Sequence, residues 1–102
     1  MSREEMRSTF DSTTGGVMTV EAGAVTGALE LSTRPTDTTL EALVRYAGAE
    51  EWYTVEGSPI SLEERADPGE LHKRIVVHLS QPGRRIRGNE EPVSLTSFSE
   101  SS

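Results

Sequence analysis

No run of apolar residues in this 102-residue chain is longer than four residues, and this limit constrains what the chain can fold into. A helix that spans a membrane needs about 20 consecutive apolar residues, so the sequence predicts no such segment. The first six residues include charges and no apolar stretch follows them, which argues against a secretory signal peptide. We therefore expect a soluble, cytoplasmic protein with one domain, whose core is assembled from several short elements.

The chain contains no cysteine, so disulfides, thiol chemistry and cysteine-bound metals are excluded. Its two histidines, His72 and His78, are six residues apart, so on a helix they diverge by about 120° and cannot chelate one ion. The sequence also lacks the short motifs of serine hydrolases, P-loop proteins, dinucleotide-binding proteins and zinc proteases. We expect no cofactor, metal or catalytic site, and we place His78 at the edge of the core.

Residues 1–15 are interpreted as an N-terminal arm that contains a short helix. Ser2 and Glu5 have the spacing of a capping box, in which each side chain bonds a free backbone N–H group of the other residue. Met6 and Phe10 would then share one helical face. With only these two apolar anchors the helix would be barely two turns long.

Residues 17–32 are compatible with a hairpin and with a helix. As a hairpin, apolar residues alternate with polar or small residues on both sides of a turn at residues 26–27. As a helix, Gly23 and Gly27 would each cost about 1 kcal/mol relative to alanine. We favour the hairpin, and we expect it to end near Pro35 because proline cannot donate to a strand ladder.

Residues 37–47 have the clearest helical pattern in the first half of the chain. Thr38 and Glu41 form a second capping box, and Gly48 stands where the C-terminal cap of a helix is expected. Apolar residues recur at the i, i+3, i+4 and i+7 positions of one helical face, namely Leu40, Leu43, Val44 and Ala47. The sequence therefore predicts a helix here.

Residues 51–62 predict a second hairpin. Positions 52–55 hold Trp, Tyr, Thr and Val, the residue types most enriched in strands, and a Gly-Ser-Pro turn follows. Because Trp52 and Tyr53 are neighbours on a strand, they must face opposite sides of the sheet. One of them should belong to the core, and the other either packs on the solvent side or anchors a partner.

Residues 68–80 predict a second helix. Asp67 suits the N-cap position, Pro68 suits the first helical position, and a Gln-Pro-Gly stop follows the segment. The alternative is a turn that leads into a β-branched strand through residues 75–77. We favour the helix, since most of its apolar residues fall on one contiguous face.

These elements predict an α+β domain over residues 16–82, in which a small antiparallel sheet from two hairpins is packed by two helices. Hairpin and helix alternate twice, which is typical of a ββα-ββα order. Residues 83–102 change to Arg, Gly, Glu and Ser, so we predict a flexible tail that is first basic and then acidic. The expected core comprises Leu40, Leu43, Val44, Trp52 or Tyr53, Ile75 and Leu79.

Charge is segregated along the chain. Residues 1–70 carry 14 carboxylates and five arginines, whereas residues 71–89 carry five cations and no acid. These cations either balance the acidic body within the molecule or bind an acidic partner. The candidate partner-binding residues are the two adjacent aromatic residues and the five cations, namely Trp52, Tyr53, Lys73, Arg74, Arg84, Arg85 and Arg87.

These features favour a non-enzymatic binding or regulatory module that acts through protein–protein contacts. Nucleic acid is not the expected partner, because the acidic body repels it over most of the surface. Two alternatives stay open: a small acidic inhibitor or antitoxin-like protein that mimics nucleic-acid charge, and a small enzyme with a concealed pocket. The mimic requires one dense acidic face, built from Glu50, Glu51, Glu56, Glu63 and Glu64. The sequence does not distinguish a monomer from a dimer.

Overall fold

The computed structural model describes residues 5–62, 67–82, 85–86 and 88–98. In chain order the elements are β1 (Met6–Asp11), β2 (Val17–Thr19), β3 (Gly23–Val25), β4 (Ala28–Pro35), β5 (Thr39–Tyr46), β6 (Tyr53–Thr54), β7 (Ile60–Ser61), α1 (Pro68–Leu79), β8 (Arg85–Ile86), β9 (Asn89–Glu90) and a 3₁₀ turn (Leu95–Ser97). Strands β1, β4, β5 and β6 lie side by side in one antiparallel sheet, and β7 also pairs with β5. Short ladders join β2 to β3 and β8 to β9.

The predicted fold class is wrong. The domain is a five-stranded antiparallel sheet, and α1 is the one α-helix in the described part of the chain. Two hairpins packed by two helices are therefore absent from this part, and the ββα-ββα order is lost with them. The error comes from two segments of the first half, which form the strands β1 and β5 where helices were predicted.

The strand β5 replaces the helix predicted over residues 37–47. Leu40, Ala42 and Val44 are fully buried, whereas Leu43 is half-buried, so burial follows a period of two. A spacing of four residues fits a helical face and a strand face equally well, and Leu40 and Val44 therefore satisfy both patterns. In a helix, Ala42 would lie on the side away from Leu40 and Val44, so its burial together with these two residues identifies a strand.

A tight turn at residues 36–39 takes the place of the predicted capping box of Thr38 and Glu41. The backbone N–H of Thr36 donates to the carbonyl oxygen of Thr39 at 2.7 Å. In return the Oγ1 of Thr36 accepts a hydrogen bond from the N–H of Thr39 at 3.0 Å. These bonds close the hairpin between β4 and β5, so Pro35 is the last residue of β4.

The prediction of a short helix in the N-terminal arm is also wrong, because β1 forms one margin of the sheet. It pairs antiparallel with β4, from Met6 opposite Thr33 to Asp11 opposite Ala28. Side chains along β1 alternate between half-buried and exposed positions. The ladder to β4 satisfies backbone groups and gives the segment the tertiary support that a two-turn helix would lack.

The strand interpretation of residues 17–32 is correct, but the predicted turn is misplaced. The hairpin of β2 and β3 turns at residues 20–22, where the Oγ1 of Thr19 donates to the carbonyl oxygen of Gly23 at 2.7 Å. Gly27 instead connects β3 to β4, with a φ of 110° that favours glycine.

The second predicted hairpin, over residues 51–62, pairs differently from the prediction. Strands β6 and β7 each pair with β5 and do not pair with each other. Between them the N–H of Val55 donates to the carbonyl oxygen of Ala42 at 3.1 Å, and the N–H of Ala42 donates to the Oγ of Ser58 at 2.8 Å. The segment therefore runs along β5 from β6 to β7.

The helix predicted over residues 68–80 is confirmed as α1, and the alternative strand is excluded. The Oδ1 of Asp67 accepts a hydrogen bond from the N–H of Gly69 at 3.0 Å, and Pro68 occupies the first turn. One face of α1 covers the sheet through its buried residues, namely Leu71, His72, Ile75 and Leu79. The opposite face is open to solvent, and Val77 there is 56% exposed.

The folded unit extends beyond residue 82, where we expected it to end. Val93 forms a parallel bridge with Val17, and the N–H of Leu95 donates to the carbonyl oxygen of Glu56 at 2.9 Å. Both Val93 and Leu95 are buried in the core. The prediction that the whole tail lies outside the folded unit is therefore wrong for this segment.

Two glycines make room for the C-terminal segment. A Cβ atom at Gly57, where φ is 95°, would lie 2.7 Å from the backbone nitrogen of Thr96. A Cβ atom at Gly15 would lie 2.6 Å from the carbonyl oxygen of Glu91. Real Cβ atoms essentially never come this close. The C-terminal segment can therefore pack here only because residues 15 and 57 have no side chain.

The core combines the inner face of the sheet, α1 and the C-terminal segment. Of the residues expected there, Leu40, Val44, Ile75 and Leu79 are fully buried. Three others are half-buried, namely Leu43, Trp52 and Tyr53. Within the described residues, no helix is both long enough and apolar enough to cross a lipid bilayer.

Candidate partner-binding groove

A depression of about 360 Å³ lies between the solvent side of α1 and the C-terminal segment. We call it the α1 groove. It brings Lys73 and Arg74, two of the predicted partner-binding residues, next to Phe98 from the expected tail. Its lining residues are Glu70, Lys73, Arg74, Val77, His78, Gln81 and Phe98.

Helical periodicity places the floor and one wall of the groove. Glu70, Lys73 and Val77 are spaced by three or four residues, so they follow one another along the solvent side of α1, and Gln81 lies just beyond the end of the helix. Val77 is the one residue that interrupts the polar character of this side, and a largely exposed valine there gives the groove an apolar floor.

The second wall is held in place by His78. Its Nε2 lies 2.9 Å from the carbonyl oxygen of Ser94, and a carbonyl only accepts, so Nε2 carries the proton and donates. The imidazole also meets the ring of Phe98 edge to face, with 5.4 Å between ring centroids. The prediction that His78 lies at the edge of the core agrees with this half-buried position.

The groove is cationic within an acidic molecule. Lys73 is exposed, and the guanidinium of Arg74 lies 5.7 Å from the centroid of the Phe98 ring, a cation–π distance. Glu70 is the one carboxylate among the lining residues, whereas the whole chain has a net charge of −7. The groove therefore combines two cationic side chains with the apolar surface of Val77 and Phe98.

Trp52 and Tyr53 lie outside the groove, on opposite faces of the sheet as the strand alternation predicts. Trp52 is on the face away from α1, with the guanidinium of Arg45 at 4.4 Å and that of Arg7 at 5.4 Å from a ring centroid. Tyr53 is opposite Val44 on the core face. The two arginines cover the indole of Trp52, which lowers its value as an exposed anchor.

The remaining predicted site residues are not placed by the described structure. Arg84 and Arg87 lie outside the described residues, and Arg85 is described only as a backbone position of β8. Glu63 and Glu64 also lie outside, so the dense acidic face expected of a nucleic-acid mimic stays a prediction.

Sequence reasoning missed Val77, Gln81 and Phe98 as groove residues. Val77 had a detectable signal, because it is the only apolar residue on the polar side of the α1 pattern. Phe98 had none, because its position depends on the distant contact between Leu95 and Glu56.

The perturbed carboxyl groups in the described structure do not have the properties of a general acid. The pKa of Glu5 is lowered because Ser32 and Arg7 donate hydrogen bonds to its carboxylate. The pKa of Glu21 is lowered because the hydroxyl and the backbone N–H of Thr54 donate to it, at 2.8 Å and 2.7 Å. Both shifts favour the charged carboxylate, whereas a general acid at neutral pH needs a raised pKa.

A third perturbed group is buried beneath α1. His72 is 5% exposed, and burial lowers its pKa. It does not line the α1 groove. The described residues also include no cluster of three or more side chains of the kind that hold a metal ion.

Comparison with known proteins identifies no relative of this chain. No family model matches it, no curated protein matches it, and no solved structure matches it. The functional argument therefore depends on the α1 groove itself.

Proposed function

We propose that this protein is a non-enzymatic binding module that docks an acidic segment of a partner protein in the α1 groove. The observation that carries the proposal is the pairing of Lys73 and Arg74 with the apolar surface of Val77 and Phe98. This combination suits a segment in which carboxylates flank one apolar side chain.

Charge complementarity supports an acidic occupant. Residues 1–70 carry 14 carboxylates against five arginines, so a basic partner would find many competing surfaces on this protein. An acidic segment is repelled by those surfaces and attracted by Lys73 and Arg74. The same argument disfavours a long nucleic acid, whose phosphates would extend over the acidic body.

The apolar part of the groove supports a short segment. Val77 and Phe98 offer a small contact area beside the cations, enough for one apolar side chain to leave water. Phe98 is half-buried and is fixed by His78 and Arg74, so little side-chain freedom is lost when a ligand covers it.

The probe that tests this proposal is a short synthetic peptide with glutamates on both sides of one leucine. We expect its titration to shift the backbone amide signals of residues 73–81 in NMR spectra, with an affinity that falls as salt is added. Two control peptides, one with lysines for the glutamates and one with alanine for the leucine, should bind more weakly.

A pair of matched variants separates the groove from net charge. Lys73→Gln and Arg34→Gln each remove one positive charge, but Arg34 lies on the sheet, where its Nε is 3.7 Å from the carboxylate of Glu5. We expect Lys73→Gln to weaken peptide binding about two- to fivefold and Arg34→Gln to leave it unchanged. Equal effects of both variants, or shifts outside the groove, would contradict the proposal.

A further inference from the structure

The two edge strands of the central sheet differ in whether their outer side is paired with another segment. At the β6 margin, the N–H of Val20 donates to the carbonyl oxygen of Thr54 at 2.9 Å, and Thr19 bridges to Val55. The chain around β2 thereby extends the ladder and covers this margin. At the other margin, β1 pairs with β4 on one side, and no described strand pairs with its other side.

The register shows which backbone groups of β1 point outward. The N–H of Ser12 donates to the carbonyl oxygen of Gly27 at 2.9 Å, which continues the β1–β4 ladder by one hydrogen-bonded pair. In an antiparallel ladder such pairs alternate, so Met6, Ser8 and Phe10 exchange bonds with β4. The N–H and C=O groups of the residues between them point away from the sheet, namely those of Arg7, Thr9 and Asp11.

The outward positions of β1 have a self-complementary order of charge. Arg7, Thr9 and Asp11 are exposed on the sheet face opposite α1, and they run positive, neutral, negative along the strand. Two copies of β1 that pair antiparallel about an axis through Thr9 bring Arg7 of each copy opposite Asp11 of the other. The same register aligns all outward N–H and C=O groups, so each of the three facing pairs exchanges two hydrogen bonds.

We infer that β1 is a self-association strand, through which a second copy of this chain joins edge to edge to form one continuous sheet. A register shifted by two residues places Arg7 opposite Thr9 and loses both arginine–aspartate pairs. Exposed sheet edges are commonly protected by charged side chains or proline. In β1 the two charges have opposite sign, at the spacing that lets them attract each other in an antiparallel pair.

Neighbouring contacts of Arg7 are compatible with this pairing. In one copy Arg7 donates from Nε and Nη2 to the carboxylate of Glu5, at 3.1 Å and 3.4 Å. A guanidinium has five N–H donors, so others are available to Asp11 of the second copy. No residue of β1 lines the α1 groove, so both copies keep their groove on association.

Sedimentation velocity over a range of protein concentrations tests the inference. We expect the wild-type chain to change from monomer to dimer as its concentration rises. Thr9→Pro should remain a folded monomer, because it removes an outward N–H that β4 does not use. Asp11→Arg should weaken association about tenfold or more, since it places two arginines opposite each other.

Two further variants keep the test decisive. Glu56→Arg makes the same charge change at an exposed position away from β1 and should associate like the wild type. The exchanged variant Arg7→Asp with Asp11→Arg restores opposite charges and should recover the association that Asp11→Arg loses. A wild-type chain that stays monomeric, or a folded Thr9→Pro variant that dimerises normally, would overturn the inference. If Thr9→Pro does not fold, the two charge variants decide the outcome.

Discussion

The Nδ1 atom of His72 lies 2.8 Å from the Oγ1 atom of Thr33, so a histidine of α1 bonds to β4 inside the core. The other ring nitrogen, Nε2, lies 2.7 Å from the Oγ of Ser8 on β1. One buried imidazole therefore connects the helix to two neighbouring strands. Its hydroxyl partners satisfy both nitrogens without a counter-charge, and burial lowers the pKa of His72 below its usual value of 6.5.

The lowered pKa of His72 predicts that stability declines as the pH falls below about 6.5. The unfolded chain binds the proton first, so the free energy of unfolding is highest above that pH and falls through the window down to the pKa in the folded state. The slope reaches at most about 1.4 kcal/mol per pH unit for one proton. Urea denaturation at several pH values between about 7.5 and 5.5 measures it.

Two variants on α1 test whether His72 causes this dependence of the free energy of unfolding on pH. His72→Gln should be less stable at neutral pH and should show a flatter dependence, because it retains polar atoms but does not titrate. Lys73→Gln, an exposed neighbour, should keep the wild-type dependence. An unchanged slope in His72→Gln would show that another group is responsible.

The C-terminal segment packs directly against Gly57, which predicts that two glycine-to-alanine substitutions lower the free energy of unfolding by different amounts. Gly57 and Gly48 both have a positive φ, of 95° and 86°, but only Gly57 faces a neighbouring backbone. Gly48→Ala should cost about 1–2 kcal/mol through conformational strain. Gly57→Ala should cost about 1–3 kcal/mol more, because its methyl group displaces Leu95 and Thr96. Equal unfolding free energies would refute the packing of this segment.

Burial of Leu95 predicts that the C-terminal segment contributes to stability. Leu95→Ala should lower the free energy of unfolding by about 2–5 kcal/mol, since Leu95 is 3% exposed. Glu91→Ala, at an exposed position of the same segment, should change it by less than about 0.5 kcal/mol. A urea midpoint for Leu95→Ala equal to that of the wild type would indicate an unfolded tail.

The strand geometry of β5 predicts that two leucines respond differently to truncation. Leu40→Ala should cost about 2–5 kcal/mol because Leu40 is fully buried, whereas Leu43→Ala should cost roughly half as much at a half-buried position of the opposite face. In a helix, Leu40 and Leu43 would share a face and cost the same. Denaturation curves of the two variants distinguish these arrangements.

Local signals in the sequence were sufficient for α1 and insufficient for β5. Asp67 and Pro68 form a start signal that acts within a few residues, and the structure uses both. The spacing of Leu40 and Val44 fits either element, and the choice depends on pairing with β4 and β7. That pairing is a tertiary property which the pattern within one segment does not contain.

The candidate groove was predictable only in part, because one wall depends on a local pattern and the other on tertiary contacts. The position of Lys73 on the solvent side of a helix follows from helical periodicity, and the structure agrees. The opposite wall could not be predicted, because four scattered apolar residues in the tail do not by themselves offset the entropy lost when it is ordered. The space that Gly15 and Gly57 provide for this segment depends on the tertiary structure.

The bridge between Val17 and Val93 makes completion of the core depend on a segment that is synthesised after α1. A nascent chain that has emerged only as far as α1 already has the residues of the central sheet, but the core positions of Val93 and Leu95 are still open to water. Such an intermediate exposes apolar surface and the free margin of β1 together, the two features that promote aggregation. The chain therefore cannot close its own core until Leu95 has been synthesised and has left the ribosome.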